Sequence, residues 1–292
     1  MSPFYLGAGL VVTSAVCFGL MPILALYAYR EGMSVPTLLF LRFTLAAGVL
    51  FLYLFLKKEN FSVGRHRLAS LFVLGGLLYP CLSTFYFTAV RYIPASLAVL
   101  LFYVYPVIVT VFSALLEKEV IGRRLLFSMG ISLFGLFLFL GASAKGAVNP
   151  LGVLYVFGAA IFYAVYIVFG NRVVKEVPPL LTTAFVILFA ALSLFVAGLA
   201  GGGLNFGFGP AAWLPVAALA LFSTVVSFLA FFRGLELVGS TRASVLSITE
   251  PLATVVFSAL LFSERLTALQ MLGGVGILAG AGLIVLAKEA AS

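Results

Sequence analysis

Ten uninterrupted apolar runs, each long enough to cross a bilayer, divide this chain almost completely. They are Leu6–Tyr29, Val35–Leu56, Leu68–Val90, Ala95–Leu116, Leu125–Ala142, Leu151–Arg172, Leu180–Leu199, Ala211–Leu235, Thr241–Phe262 and Ala268–Ala287. A hydrocarbon layer about 30 Å thick needs roughly 20 apolar helical residues, and the runs supply them. With 292 residues shared among ten runs, the loops are minimal and no separate soluble domain fits. The runs are continuous rather than alternating, which suits helices closed on their own backbone hydrogen bonds and excludes a membrane barrel. Only 9% of residues are charged and 64% are hydrophobic, whereas a soluble domain carries about 25% charge. The expected fold class is an all-α integral membrane protein with ten transmembrane helices. The first run exceeds signal-peptide length and lacks a basic lead, so it reads as a retained span.

Lys and Arg are distributed unevenly about these spans. Twelve of the 17 fall after spans 2, 4, 6, 8 and 10: Lys57, Lys58, Arg65, Arg67, Lys118, Arg123, Arg124, Arg172, Lys175, Arg233, Arg242 and Lys288. Arg30, Arg91, Lys145 and Arg265 lie on the opposite side, and Arg42 lies within span 2. The excess of basic residues on cytoplasmic loops places both termini in the cytoplasm. It also accounts for the net charge of +8 without a nucleic-acid partner.

A duplication at an offset of 145 residues organises the chain. Pro106–Glu119 aligns with Pro251–Glu264, sharing Val-Phe-Ser-Ala-Leu-Leu, and Gly135 matches Gly280 farther on. Five spans per half is an odd number, so the second half is inverted relative to the first. Loop charge reverses accordingly: four basic residues follow span 2 and none follows span 7. Two five-helix units are expected, residues 1–146 (spans 1–5) and 147–292 (spans 6–10). Inverted-topology repeats build transporters whose substrate site lies at mid-depth between the halves.

The doubled mid-span proline, the acidic span ends, the Gly-rich following helices and Leu41-Arg42-Phe43 early in span 2 resemble the EamA-type drug/metabolite transporters. The resemblance covers nearly the whole chain as two tandem units. It implies a transporter, commonly an exporter, of small metabolites in the bacterial inner membrane. The chain looks most similar to the amino-acid and aromatic-metabolite exporters of that superfamily. Too few cations lie within the spans for an organophosphate or nucleotide-sugar carrier.

Glu250 stands roughly 14 Å into span 9 at 1.5 Å per residue, and an ionisable group at that depth faces a cavity or a partner. It is a candidate for contacting a substrate amine or binding a proton, against a purely structural role between helices. Tyr105 is its mate in the repeat. Pro106 and Pro251 each remove a backbone hydrogen bond, which would free the carbonyls of Phe102 and Ser247. The kinks would open a cavity lined by Tyr103, Tyr105, Ser244, Ser247 and Thr249. Arg42, the one basic residue inside a span and away from its ends, is a candidate carboxylate contact, against snorkelling or pairing with a helix end or a Glu. Tyr79, Tyr86, Tyr163, Tyr166 and Trp213 carry polar handles for a substrate path. Arg91, Arg233, Glu236, Glu117, Glu119, Glu264 and Arg265 read as span-end and gate-region charges. Gly276 and Gly280 form a small-residue face that serves either a dimer seam or packing inside the bundle.

Other classes lack material. No Asp is present for an aspartate-rich Mg²⁺ site. The one histidine, His66, lies in a loop, and Cys17 and Cys81 fall inside hydrophobic spans, so neither a metal cluster nor a His-based dyad is expected. No cofactor or catalytic residue is expected. The sequence thus points to a secondary transporter, an exporter of small metabolites such as aromatic or apolar amino acids, working by alternating access. Proton coupling through Glu250 is one energy source and the substrate gradient the other; the protein acts as a monomer or homodimer. An importer, a multidrug or vitamin carrier of the same fold, and a non-transporting membrane scaffold are the alternatives.

Overall fold

The computed structural model describes residues 2–59, 62–93, 95–141, 149–262 and 267–286. Lys145, Glu264, Arg265 and Lys288, counted above, lie outside them. Ten helical spans cross a membrane-length distance: Pro3–Arg30, Val35–Leu56, Arg65–Tyr86, Leu97–Leu116, Arg123–Leu140, Pro150–Glu176, Pro179–Ala200, Pro210–Val238, Ser240–Leu261 and Ala268–Leu286. No strand occurs among the described residues. Several spans begin with Pro inside the first turn, where its missing N–H costs nothing, as at Pro36, Pro150 and Pro179. Asn149 and Ser34 cap two of these starts, their side chains accepting from Leu151 and Thr37 N–H.

The two halves pack as mirror partners in sequence order. Span 1 packs on spans 8 and 9, while span 6 packs on the equivalent spans 3 and 4. Spans 2 and 7 pair with each other, as do 4 with 9 and 5 with 10. Every one of these contacts maps onto itself or another when the halves are exchanged, which is the geometry of an inverted repeat.

Spans 5 and 10 approach closely through the glycines that the repeat matches. A Cβ placed on Gly273 would lie 2.6 Å from the Gly135 carbonyl oxygen and 2.6 Å from Phe139 N. One placed on Gly280 would lie 2.0 Å from Ser132 Oγ. Gly276, with a virtual Cβ 3.0 Å from Gly135 Cα, belongs to the same crossing. The small-residue face is therefore used for packing inside the bundle: with little hydrophobic drive between helices in lipid, close van der Waals approach holds them together.

Spans 1, 4 and 9 are broken. The breaks fall at Leu20 in span 1, at Tyr103 and Val104 in span 4, and at Ser247 and Ile248 in span 9. Each precedes a proline, Pro22, Pro106 or Pro251, by two to four residues. Span 6, the counterpart of span 1, runs unbroken for 27 residues. Spans 3 and 8 each contain a wide π-turn, Val73–Leu78 and Leu221–Val226, near half depth in both cases. Carbonyls around these turns take hydroxyl donors: Ser193 donates to Gly76 O and Ser14 to Ser227 O. That keeps irregular backbone satisfied at membrane depth, as lipid demands.

Candidate functional site

The broken centres of spans 4 and 9 face each other and bring Glu250 among tyrosines. The Tyr103 hydroxyl lies within hydrogen-bonding reach of the Glu250 carboxyl group. Tyr86, Tyr105 and Tyr163 lie within electrostatic reach of the same carboxyl group. Tyr103 and Tyr105 are buried, whereas Glu250, Tyr79, Tyr86 and Tyr163 keep part of their surface open.

The break in span 9 differs from the sequence expectation in one respect. The Ser247 carbonyl is not left free: it accepts Glu250 N–H at 3.0 Å, a tight turn that bridges the break. The side-chain hydroxyls are also occupied locally. Ser244 donates to Thr241 O at 2.8 Å, Ser247 to Ala243 O at 2.9 Å and Thr249 to Leu246 O at 2.8 Å. The Ser244 carbonyl accepts the Tyr105 hydroxyl at 3.4 Å, tying spans 4 and 9 together. These hydroxyls tie side chains to backbone carbonyls around the break that positions Glu250, the Ala243 carbonyl accepting both the hydroxyl and the N–H of Ser247.

Arg42 does not meet Glu250. Its side chain is 2% exposed, its Nη1 donates to Met21 Sδ at 2.7 Å, and its guanidinium carbon lies 4.7 Å from the Phe43 ring centroid. The break at Leu20 in span 1 presents Met21 to it. Counting about 1.5 Å per residue, Arg42 lies roughly 10 Å below one end of span 2 and Glu250 roughly 15 Å above the opposite end of span 9. In a hydrocarbon layer about 30 Å thick their depths differ by about 5 Å.

An unbroken line of rings joins the two charged residues. Phe43 and Tyr79 have centroids 5.0 Å apart, Tyr79 and Tyr166 6.2 Å, Tyr166 and Tyr163 6.1 Å. Tyr163 and Tyr105 follow at 4.6 Å and Tyr105 and Tyr103 at 5.5 Å, and Tyr103 reaches Glu250. Edge-to-face and offset arrangements of this kind are favourable for aromatic pairs. Spans 2, 3, 4, 6 and 9 each contribute. Phe43 was named from sequence only as part of the Leu41-Arg42-Phe43 element and not as a site residue, and Met21 was not named; adjacency to a proline alone marks Met21. Trp213 sits apart, half exposed and packed on Phe208.

A second polar cluster closes the face that carries most of the basic residues. Glu117, at the end of span 4, accepts from Asn171 Nδ2 of span 6 and from Ser240 Oγ of span 9, both at 2.7 Å. Glu119 accepts from Thr241 Oγ1 at 2.7 Å, and Arg172 donates to Leu116 O at 2.6 Å. Lys118 between the two acids has φ of 54°, a left-handed conformation costly for a side-chain-bearing residue, and it turns both carboxylates toward span 9. The clamp crosses the two repeats. Arg233 and Glu236, by contrast, pair with each other along span 8. Glu117→Ala is expected to release the clamp. Hydrogen–deuterium exchange over residues 238–246 should then accelerate tenfold or more, because hydrogen bonds to a charged group contribute about 1.5–3 kcal/mol each; unchanged exchange would show that the clamp holds nothing.

Two inverted five-helix units around a polar, aromatic centre at half depth are the architecture of a secondary transporter. The chain belongs to the EamA-like transporter family, whose model matches it twice, over residues 5–141 and 150–286. It is similar to the uncharacterised transporter YcbK of Bacillus subtilis, with 25% identity over 93% of this chain and 90% of that one. An uncharacterised transporter of Archaeoglobus fulgidus is 31% identical over 67% of this chain and 68% of its own length. A crystal structure with 20% identity superposes with a TM-score of 0.83 across 96% of both chains, which establishes the shared fold.

Proposed function

We propose that this transporter exports small apolar or aromatic metabolites, amino acids among them, across the bacterial inner membrane by alternating access, with both termini cytoplasmic. The observation that carries the reading is the line of packed rings between Arg42 and Glu250. It offers an aromatic surface for an apolar side chain and one charged group of each sign, at mid-depth between two inverted halves. The clamp at Glu117 supports alternating access, because it seals one face with hydrogen bonds that can be exchanged for water. The basic bias of that face supports its cytoplasmic placement. Glu250 binds the substrate amine, or a proton that travels in exchange for substrate. Tyr103, Tyr105, Tyr79 and Tyr163 wall the site, and Ser244 and Ser247 hold its floor.

The test is efflux of labelled phenylalanine and leucine from loaded proteoliposomes, with and without a pH gradient. Efflux above that of empty vesicles is expected, and acceleration by the gradient would establish proton exchange. Accumulation in preference to efflux would make the protein an importer. Failure to move any member of an amino-acid and aromatic-metabolite panel would remove the reading.

A further inference from the structure

The guanidinium of Arg42 is held on one edge and open on the other. Nη1 is engaged by Met21 Sδ, a weak acceptor, and the face of the group lies against Phe43. Nε and Nη2 are buried and have no hydrogen-bond partner among the described residues. These two nitrogens make up the side-on edge, whose parallel N–H groups match the two oxygens of a carboxylate.

No protein carboxylate is placed to fill that edge among the described residues. Glu117 and Glu119 are held in the clamp, and Glu176 and Glu236 pair with Arg67 and Arg233. Glu250 takes Tyr103, Glu31 packs beside Gly209, and Glu59 is exposed at the opposite end of span 2. Burying a charged donor without a partner is costly. Arg42 is also placed at a boundary. Above it, Ala25, Ala28, Met33, Leu38, Leu41, Ala212, Val216 and Leu219 form an apolar cluster of spans 1, 2 and 8. Below it, Phe43 begins the main core and the line of packed rings.

We infer that the open edge of Arg42 is the carboxylate-recognition site of the transport cycle. It takes a monocarboxylate substrate bidentately when the apolar cluster above it parts, with the substrate's apolar body along Phe43, Tyr79 and Tyr166. The inference rests on the transport reading above and narrows its substrate to compounds bearing a free carboxylate. The fork is shut in the conformation described here, so the ligand supplies the partner that the protein withholds.

The experiment compares 3-phenylpropionate with its uncharged isostere 3-phenylpropanamide on the full-length protein in nanodiscs, by equilibrium binding and thermal stabilisation. The acid is expected to bind the unmodified protein at least tenfold more tightly than the amide. Arg42→Lys keeps the charge but loses the fork and should forfeit most of that preference; Arg42→Gln should abolish it. The comparison on the unmodified protein decides the matter even if Arg42→Gln fails to fold. Equal binding of acid and amide, or a preference that survives in Arg42→Gln, overturns the assignment. If only uncharged or cationic compounds such as phenethylamine bind and are transported, the Arg42 assignment falls and the transport reading stands. If no compound binds or moves, both fall.

Discussion

Replacing Glu250 with Gln lowers substrate efflux roughly 10–100-fold and abolishes any acceleration by a pH gradient. Gln keeps the size of the side chain and an oxygen that still accepts the Tyr103 hydroxyl, so the break in span 9 is expected to survive. What disappears is the ability to carry a negative charge and to bind and release a proton. A hydrogen bond to a charged group is worth about 1.5–3 kcal/mol, and 1.4 kcal/mol is a factor of about ten. Measured in proteoliposomes beside Glu59→Gln, which alters an exposed loop carboxylate, the effect separates the central residue from a change in net charge. Efflux by Glu250→Gln that matches the unmodified protein at every pH would refute the central role. Loss of efflux with gradient dependence retained would leave Glu250 as a substrate contact and place proton exchange elsewhere.

The second large effect is on folding. Gly273→Val is expected to yield little or no monodisperse, correctly folded protein. The added carbons meet the Gly135 carbonyl, Phe139 N and Phe139 Cα at 2.6–2.8 Å, all of them backbone that cannot rotate away. Overpacking of a well-fitted core commonly costs about 1–3 kcal/mol, and here the whole crossing of spans 5 and 10 has to separate. Gly130→Ala and Gly282→Ala are the controls, because nothing lies within 4 Å of either virtual Cβ. Those two should melt at the same temperature or slightly higher, since Gly inside a helix is less stable than Ala by roughly 0.5–1 kcal/mol. Size-exclusion profiles and melting curves of the three variants distinguish the outcomes. A folded Gly273→Val protein of normal stability would mean that the two spans do not cross there.

The number of spans and the breaks in spans 4 and 9 were legible in the sequence because each depends on features that lipid punishes or that proline enforces. An ionisable side chain or a proline in a long apolar run is conspicuous without any knowledge of neighbours. Gly135 and Gly280 were conspicuous for a different reason, the repeat, and the structure shows that both serve one crossing. What stayed hidden is which face of each helix turns inward. In a soluble helix the polar stripe marks the outside, but here the lipid-facing and core-facing sides are equally apolar. Phe43 therefore stood out among the 30 phenylalanines only as part of the Leu41-Arg42-Phe43 element, and its place between Arg42 and Tyr79 needed coordinates. The Ser247 carbonyl was expected to be free because proline removes its usual donor; the tight turn to Glu250 N–H rescues it. Asn171 gave no signal at all, since an amide at a span end is ordinary until a carboxylate from the other repeat is found against it.

The unbroken length of span 6 bears on how easily the clamp lets go. Its 27 residues extend about 40 Å at 1.5 Å per residue, against about 30 Å of hydrocarbon. Its last residue, Glu176, stands in water, 58% exposed and loosely paired with Arg67. With the roughly 10 Å of excess length on this side, Asn171, five residues earlier and about 7 Å down the helix, lies at the depth of the lipid headgroups. A hydrogen bond broken in dry hydrocarbon forfeits about 4–6 kcal/mol, whereas one exchanged for water forfeits about 1 kcal/mol. The excess length of span 6 thus lifts the latch into the layer where it is cheapest to undo. It also makes bilayer thickness a control: a thicker membrane draws Asn171 and Glu117 toward the hydrocarbon and holds the face shut, and a thinner one wets them and lets it swing.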